Sequence, residues 1–539
     1  MVRGIYRLIL LFCPLILIAC SESEIIPNYS LTLQNDSVEM AIGKESAVEF
    51  AVSPYDTEFA YDLNSSDCNV KIQMSDGGAI PPYLVFDRIE PIYDSGNSPI
   101  KGKYKLFLKD LSQRVNYDLN FEISVMIGGG QFVSARFNVK LSNDTLTQKL
   151  LDTGLTLLKI ETVNGEEPTC DYVSPPPGGD GRSIKNATKV PGSIVVMKDS
   201  IVLFNSGEFE KDKSGLTIKI RGNTSAYGRK KPYKIKLQKK ADLLLRDDED
   251  YYKDKDWILL TDESLRTCAG FKVNELLGMQ WTPSWKYVNV VINGDYRGVY
   301  MLVESVKRNK KCRLDVDESG FIFEMDAYWW NEDVRVMSPL FGGGYTFKYP
   351  DPDDITEQQI FDFASIISSF ENSIVEGSFY DYIDVDSFVS WLLAQEILGN
   401  KDPGGSNIFL TLYDNSESSK IKMGNLWDFD NVFRTPGWWC RQHEIGIFCF
   451  GKLLHNNEFV NMYKYKWKEV EPWFFDAIES FVSSFALSAE TSSLDASLLL
   501  DGQRWDVERE SVSARIEAMN SWFKERRIWL STAIEGMGN

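Results

Sequence analysis

The chain has 539 residues, 43% hydrophobic and 25% charged, ordinary globular values that exclude a wholly disordered protein. Lys and Arg total 58 against 78 Asp and Glu, and the resulting net charge of −20 argues against a general nucleic-acid coat. With only two histidines, His443 and His455, triad hydrolysis and His-rich metal centres are disfavoured, so proton chemistry falls to carboxylates and lysines.

Residues 1–19 read as an export signal. Arg3 and Arg7 precede an apolar run from Leu8 to Ala19, about a dozen residues and too short to span as a mature helix. The run ends in Leu17-Ile-Ala-Cys20, which resembles a bacterial lipoprotein lipobox. That resemblance implies cleavage before Cys20 and lipidation of its thiol. It also implies a place in the cell envelope, at the outer membrane, with the periplasmic or surface face left open. Residues 20–29 read as a polar tether. Beyond Cys13 and Cys20, the cysteines lie far apart and lack CxxC spacing, which disfavours structural zinc. Cys440 and Cys449 are the nearest candidates for a disulfide.

Residues 30–141 carry short alternating runs, such as Val48 to Val52, Phe121 to Val125 and Phe137 to Leu141, separated by Gly, Asp, Asn and Pro turns. This pattern predicts an Ig-like β-sandwich. Residues 142–190 read as a linker with a first strand near Leu155 to Ile160. Strands dominate again from 191 to 350, with a helix expected over Leu265 to Leu277 and a hairpin turn at Asn293-Gly294. From 356 to 399 the period is helical, with Asp386 expected to cap a helix closed by Gly399. The C-terminal tail, with Val512, Ile516, Met519, Phe523 and Leu530, is helical too.

Two segments carry chemistry. The first is 219–240, with Lys219, Arg221, Arg229, Lys230, Lys231, Lys234, Lys236, Lys239 and Lys240 and no acid. It reads as a strand, a small-residue loop (Gly222 to Gly228) and an alternating strand. Backbone N–H groups of such a loop can cradle phosphate oxygens, and neighbouring cations add charge. A solvated basic face is the plainer alternative.

The second runs from Asn400 to Asp430. Asp402 and Asn407 share one loop after a helix. A predicted hairpin follows, and Trp427-Asp-Phe-Asp430 returns beside that loop. Phosphoryl transfer needs this set: one carboxylate for the attacking hydroxyl, and an amide with a second carboxylate for Mg²⁺ on the nucleotide phosphates. Protein kinases use D-x-x-x-x-N, a hairpin and then D-F-G in this order.

At this point the sequence resembles the CotH kinase family, envelope-associated or secreted atypical kinases named after a spore-coat protein. The resemblance rests on Ile220 to Ser225, Lys231 to Leu237, Asp256 to Leu260, Asn293 to Glu304, Phe388 to Asp402 and Trp427 to Asp430. It implies an α+β chain in which the N-terminal β-sandwich is followed, over 191–539, by a divergent protein-kinase-like domain with a helical C-terminal tail. It implies ATP- and Mg²⁺-dependent phosphorylation of protein Ser/Thr. Asp402 would be the catalytic acid/base. Asn407 and Asp428 would hold metal, with Asp430 as second choice. Lys231, Lys234 or Lys236 would meet the phosphates, flanked by Arg221, and Glu304 would pair with one of these lysines. Asn400-Lys401 stands where conventional kinases carry His-Arg, and Asp430 where they end D-F-G in Gly.

The expected partners are therefore an acceptor protein and, through the lipid, a membrane, with no nucleic acid. The competing reading is a non-catalytic surface lipoprotein that holds a glycan or protein partner on a degenerate kinase scaffold.

Overall fold

The computed structural model describes residues 28–40, 45–81, 84–110, 117–141, 145–177, 181–404, 406–439 and 448–537. The expected signal segment, Cys20, most of the tether, Cys440 and His443 lie outside them. Among the described residues five cysteines, Cys449 included, are free thiols. No helix among the described residues is long and apolar enough to cross a membrane. The chain divides near residue 142 into two compact units.

The first unit is β throughout. Its strands are β1 (Ser30–Leu33), β2 (Ser37–Glu39), β3 (Glu45–Ser53), β4 (Val70–Met74), β5 (Leu84–Tyr93), β6 (Pro99–Asp110), β7 (Tyr117–Ile127) and β8 (Gln131–Leu141). They form two four-stranded sheets, ordered β1-β3-β6-β5 and β2-β8-β7-β4. Alternation decides which side chains face inward: Val48, Phe50 and Val52 from one sheet share a core with Phe121, Ile123 and Val125 from the other.

The second unit mixes α and β. It opens with α1 (Thr145–Leu151), β9 (Thr156–Thr162), β10 (Asp171–Val173), β11 (Ser183–Lys185), β12 (Val190–Lys198) and β13 (Ile201–Asn205). Then come β14 (Leu216–Ile220), β15 (Tyr233–Ala241), α2 (Glu249–Tyr252), β16 (Asp254–Leu260), α3 (Arg266–Leu276), β17 (Trp285–Ile292) and β18 (Asp295–Glu304). The segment expected as a linker is integral to this unit, because β9 pairs in parallel with β17 and antiparallel with β12. That second pairing closes seven strands, β12-β14-β15-β16-β18-β17-β9, into a barrel, with β13 added outside on β12. Trp257, Leu259, Val288, Val290, Tyr300 and Leu302 belong to one apolar cluster. The alternate Ile258, Tyr287, Val299, Met301 and Val303 belong to another, shared with the helices. Strands β16, β17 and β18 are apolar on both faces for this reason, whereas β14 and β15 alternate. Asn293-Gly294 makes the β17–β18 turn with both residues at positive φ, as a two-residue hairpin requires.

Strands β19 (Phe321–Asp326), β20 (Arg335–Met337), β21 (Gly344–Tyr349), β22 (Ile408–Leu412) and β23 (Lys422–Met423) build a second sheet, ordered β20-β21-β19-β22-β23. The helices α4 (Glu357–Glu376), α5 (Val385–Leu398), α6 (Phe450–Leu453), α7 (Asn457–Ala486), α8 (Ala489–Trp505) and α9 (Val512–Glu535) complete the unit. Asp384, not Asp386, caps α5: its side chain accepts the Ser387 N–H, while Asp386 lies in the first turn. Gly399 closes α5 in the left-handed conformation.

Candidate active site

Several chain segments converge on one cavity of about 530 Å³, and four of them place Arg221, Asp262, Asp402, Asn407, Asp428 and Asp430 in its wall. Each is placed by local backbone chemistry.

The β14–β15 connection brings Arg221 and a tight loop. Arg221 N–H donates to Pro232 O at 3.1 Å, closing the loop's neck. Gly222 sits at φ +90°, and a Cβ there would lie 2.3 Å from Ser225 Oγ. Only glycine fits, so bare backbone faces the cavity.

Asp262 precedes α3 and accepts the N–H of Ser264 at 2.8 Å and of Thr267 at 3.0 Å. The sequence reading missed it. The signal was Asp-Glu-Ser before a helical run, a capping pattern that says nothing about a cavity.

After Gly399, Asn400 holds the next loop from both ends. Its amide donates to Gln395 Oε1 at 2.9 Å, and its Oδ1 accepts the Asp402 N–H at 3.0 Å. The Arg526–Glu396 ion pair, fully buried on both sides, ties the end of α5 to α9 beneath this loop.

The β22–β23 hairpin then returns the chain. Lys401 N–H donates to Asn431 O at 3.1 Å, and Asn407 Nδ2 donates to Asp428 Oδ2 at 3.3 Å. The two loops are thus stitched at two points. Asn407 and Asp428 stand at φ +65° and +62°. Phe429 is buried against Gly270 of α3, where a Cβ would fall 2.2 Å from its ring. That lock lets Asp428 and Asp430 face the cavity on either side of it.

The charge in the wall is unbalanced: four carboxylates, Asp262, Asp402, Asp428 and Asp430, against the Arg221 guanidinium. Burial, with Asp428 and Asp262 close by, pushes the Asp430 carboxyl up to about 6. Burial also raises Asp428, with Asp402 adding to it and Arg221 opposing. Burial lowers Arg221, against the pull of Asp428 and Glu324. Carboxylates crowded in this way favour a bound cation. Among the described residues no cluster of three or more His, Cys, Asp or Glu could hold a metal by itself. The donor set suits Mg²⁺ bound through one or two carboxylates plus phosphate oxygens, which needs no closed protein cage.

The lysines expected at the phosphates lie elsewhere. Lys231 Nζ donates to Tyr172 Oη at 2.6 Å and to Ala226 O at 2.8 Å. Lys234 pairs with Asp256 at 3.2 Å, and Lys236 is exposed. Tyr233, Ile235 and Leu237 take the core face of β15, and Lys234 and Lys236 share the opposite face with Lys219 and Thr217 of β14; they stand further along the sheet than the loop, where Asp256 engages Lys234. Lys239 and Lys240 line a separate cavity of about 510 Å³. Glu304 pairs with Arg246 at 2.9 Å and accepts the Ser284 N–H, not a lysine of the basic run, because β18 meets β16 and not β15. Of the basic segment, Arg221 alone among the expected cations lines the acidic cavity.

The family model described as CotH kinase protein matches residues 218–530, a span that holds Arg221, Asp262, Asp402, Asn407, Asp428 and Asp430. No curated protein matches the chain. Among solved structures, the chain is similar to the periplasmic chaperone SfaE (9% identity, 33% of this chain and 97% of that one, TM-score 0.15). It is also similar to Spo0M, the sporulation control protein from Bacillus subtilis (9% identity, 39% and 78%, TM-score 0.13). A third similarity is to PcdhgB3 EC1-4 (8% identity, 52% and 68%, TM-score 0.12).

Proposed function

The chain belongs to the CotH kinase protein family, and on that footing we propose that its acidic cavity binds Mg²⁺·ATP and phosphorylates Ser or Thr of a protein. The observation that carries this reading is the meeting of Asp402, Asn407 and Asp428 in one wall, opposite the Gly222 loop and Arg221. A cavity of about 530 Å³ is of the size that takes a small-molecule ligand.

Bound there, Mg²⁺·ATP supplies the transferable phosphoryl group and the charge that stabilises its transfer. Asp428 and Asn407 would hold the cation, with Asp430 as a further donor. Arg221 and the Gly222–Ser225 backbone face the phosphates. Asp402, exposed at the mouth, orients the acceptor hydroxyl and takes its proton on a carboxylate oxygen. A new bond forms from the acceptor oxygen to phosphorus as the bond to the ADP oxygen breaks. Phe429, packed on α3, keeps both flanking carboxylates in place.

We read the molecule as a lipid-anchored protein of the outer membrane in which the β unit precedes the catalytic unit in the chain. The experiment is γ-phosphate transfer from labelled ATP, with Mg²⁺, to proteins of the same envelope. Asp402→Ala should lose transfer by about 10²-fold or more while retaining nucleotide binding. If unaltered protein binds no nucleotide at all, the non-catalytic scaffold reading takes its place.

A further inference from the structure

Beside the cavity, outside its wall, lies a charged cluster that the mechanism above does not use. Strand β19 places Glu324 and Asp326 two residues apart, hence on one face, and both are buried, at 5% and 7% exposure. Lys348, on the neighbouring strand β21, reaches Glu324 Oε2 at 2.8 Å. The other oxygen, Oε1, accepts the backbone N–H of Asn407 at 2.8 Å and lies 3.3 Å from the Ser406 hydroxyl. Asp326 Oδ1 shares that hydroxyl at 3.1 Å and accepts the Tyr328 N–H at 2.8 Å. Its Oδ2 accepts from Thr346 Oγ1 at 3.3 Å.

The cluster is poorly explained as a source of stability. Buried ion pairs recover little net free energy, because desolvation offsets their attraction. What this one does is specific. It holds the Ser406 hydroxyl and the Asn407 backbone N–H, where Asn407 adopts φ +65°, a conformation that most side chains avoid and that Asn enters more readily. With its N–H fixed, Asn407 projects its side chain to Asp428 Oδ2. A connected path runs Lys348, Glu324, Asn407, Asp428.

We propose that the Lys348–Glu324 ion pair, with Asp326 beside it, is a positioning device that sets Asn407 against Asp428 for metal binding. Glu324 is a positioning residue and touches no substrate. The proposal rests on the kinase reading of the cavity. Partners that orient a metal ligand from behind commonly control about 10- to 100-fold of metal affinity.

The test is a Mg²⁺ titration of the full chain at fixed, saturating ATP, read as the rise in melting temperature. Glu324→Ala should raise the Mg²⁺ concentration for half-maximal effect by about 10-fold or more. Glu324→Gln should recover most of that loss, since its Oε1 still accepts the Asn407 N–H. Lys348→Met should shift the midpoint in the same direction as Glu324→Ala, by less. A merely structural pair would lower every melting temperature and leave the Mg²⁺ midpoint unmoved, and that result overturns the proposal. If Glu324→Ala does not fold, Lys348→Met and Ser406→Ala decide the matter by the same midpoint. If unaltered protein shows no response to Mg²⁺ and ATP, the kinase reading fails, and this proposal with it. A normal response in unaltered protein and in Glu324→Ala alike removes this proposal alone.

Discussion

Asn407 donates its side-chain amide to Asp428 across 3.3 Å, and both residues stand in the left-handed region of backbone space. Twenty-one residues separate them in sequence. The β22–β23 hairpin brings them together, and the Lys401–Asn431 backbone bond holds the two loops at a second point. Replacing Asn407 by Ala removes both the amide and a residue type that tolerates positive φ. Urea unfolding should show a loss of about 1–2 kcal/mol, and metal-dependent nucleotide binding should fall with it.

Arg221 and the lysines of the basic run should separate cleanly. Arg221→Met removes the guanidinium from the cavity wall and should weaken ATP binding by about 10-fold or more. Lys236→Met lies on an exposed strand face and should leave ATP affinity within about 2-fold. Isothermal titration of the two variants against ATP and Mg²⁺ checks the pair. Equal losses would return the lysines to the site.

Gly222 tests the loop. A methyl at this position meets Ser225 Oγ at 2.3 Å on a backbone at φ +90°. Gly222→Ala should destabilise the protein by about 1–2 kcal/mol. It should also weaken nucleotide binding, because the Ser225 hydroxyl must turn aside and the backbone at φ +90° is strained by a side chain. Chemical denaturation and a nucleotide titration read the two effects apart.

Asp256 predicts a pH signature. Burial alone would raise its carboxyl, but Lys234 and Lys307, at 3.2 and 2.5 Å, hold it well below the usual range. A carboxyl depressed in the folded state stabilises fully above its unfolded value, about 3.9, and the contribution is lost as pH falls below that. Asp256→Asn should therefore cost about 2 kcal/mol at pH 7. The gap to the unaltered protein should narrow progressively below about pH 4, as urea titrations at a series of pH values would show.

These contrasts also show how far the sequence could be read. The order of Asp402, Asn407 and Asp428 around a hairpin was visible because strand alternation, a two-strand return and an Asx-rich loop are all local features. So was the Asn293-Gly294 turn. The lysines were misplaced because a strand's periodicity gives the face a side chain takes but not how far along the sheet a cavity reaches: Arg221 and Lys234 share a face, and the wall includes Arg221 without Lys234. Barrel closure through β9 and β12 hid for a different reason: a parallel partner such as β17, over a hundred residues away, leaves no local trace. Glu324, Asp326 and Lys348 carry no local signal that would single them out. Their role arises from β19 lying between β21 and β22, a sheet order no local pattern encodes. Asp262 drew no reading from the sequence; it accepts the Thr267 N–H in the first turn of α3, and its place in the cavity wall depends on where α3 packs.

The most direct measurement is the melting temperature of the full chain with and without millimolar ATP and Mg²⁺, beside Asp428→Asn. A ligand at 100 times its dissociation constant stabilises by about 2.7 kcal/mol, so the unaltered protein should melt several degrees higher when both are present. Asp428→Asn should lose that rise while keeping, or slightly exceeding, the melting temperature of the unliganded protein, since its carboxyl is crowded by neighbouring charge. No rise in the unaltered protein, or an equal rise in Asp428→Asn, would contradict a metal–nucleotide site built on Asp402, Asn407 and Asp428.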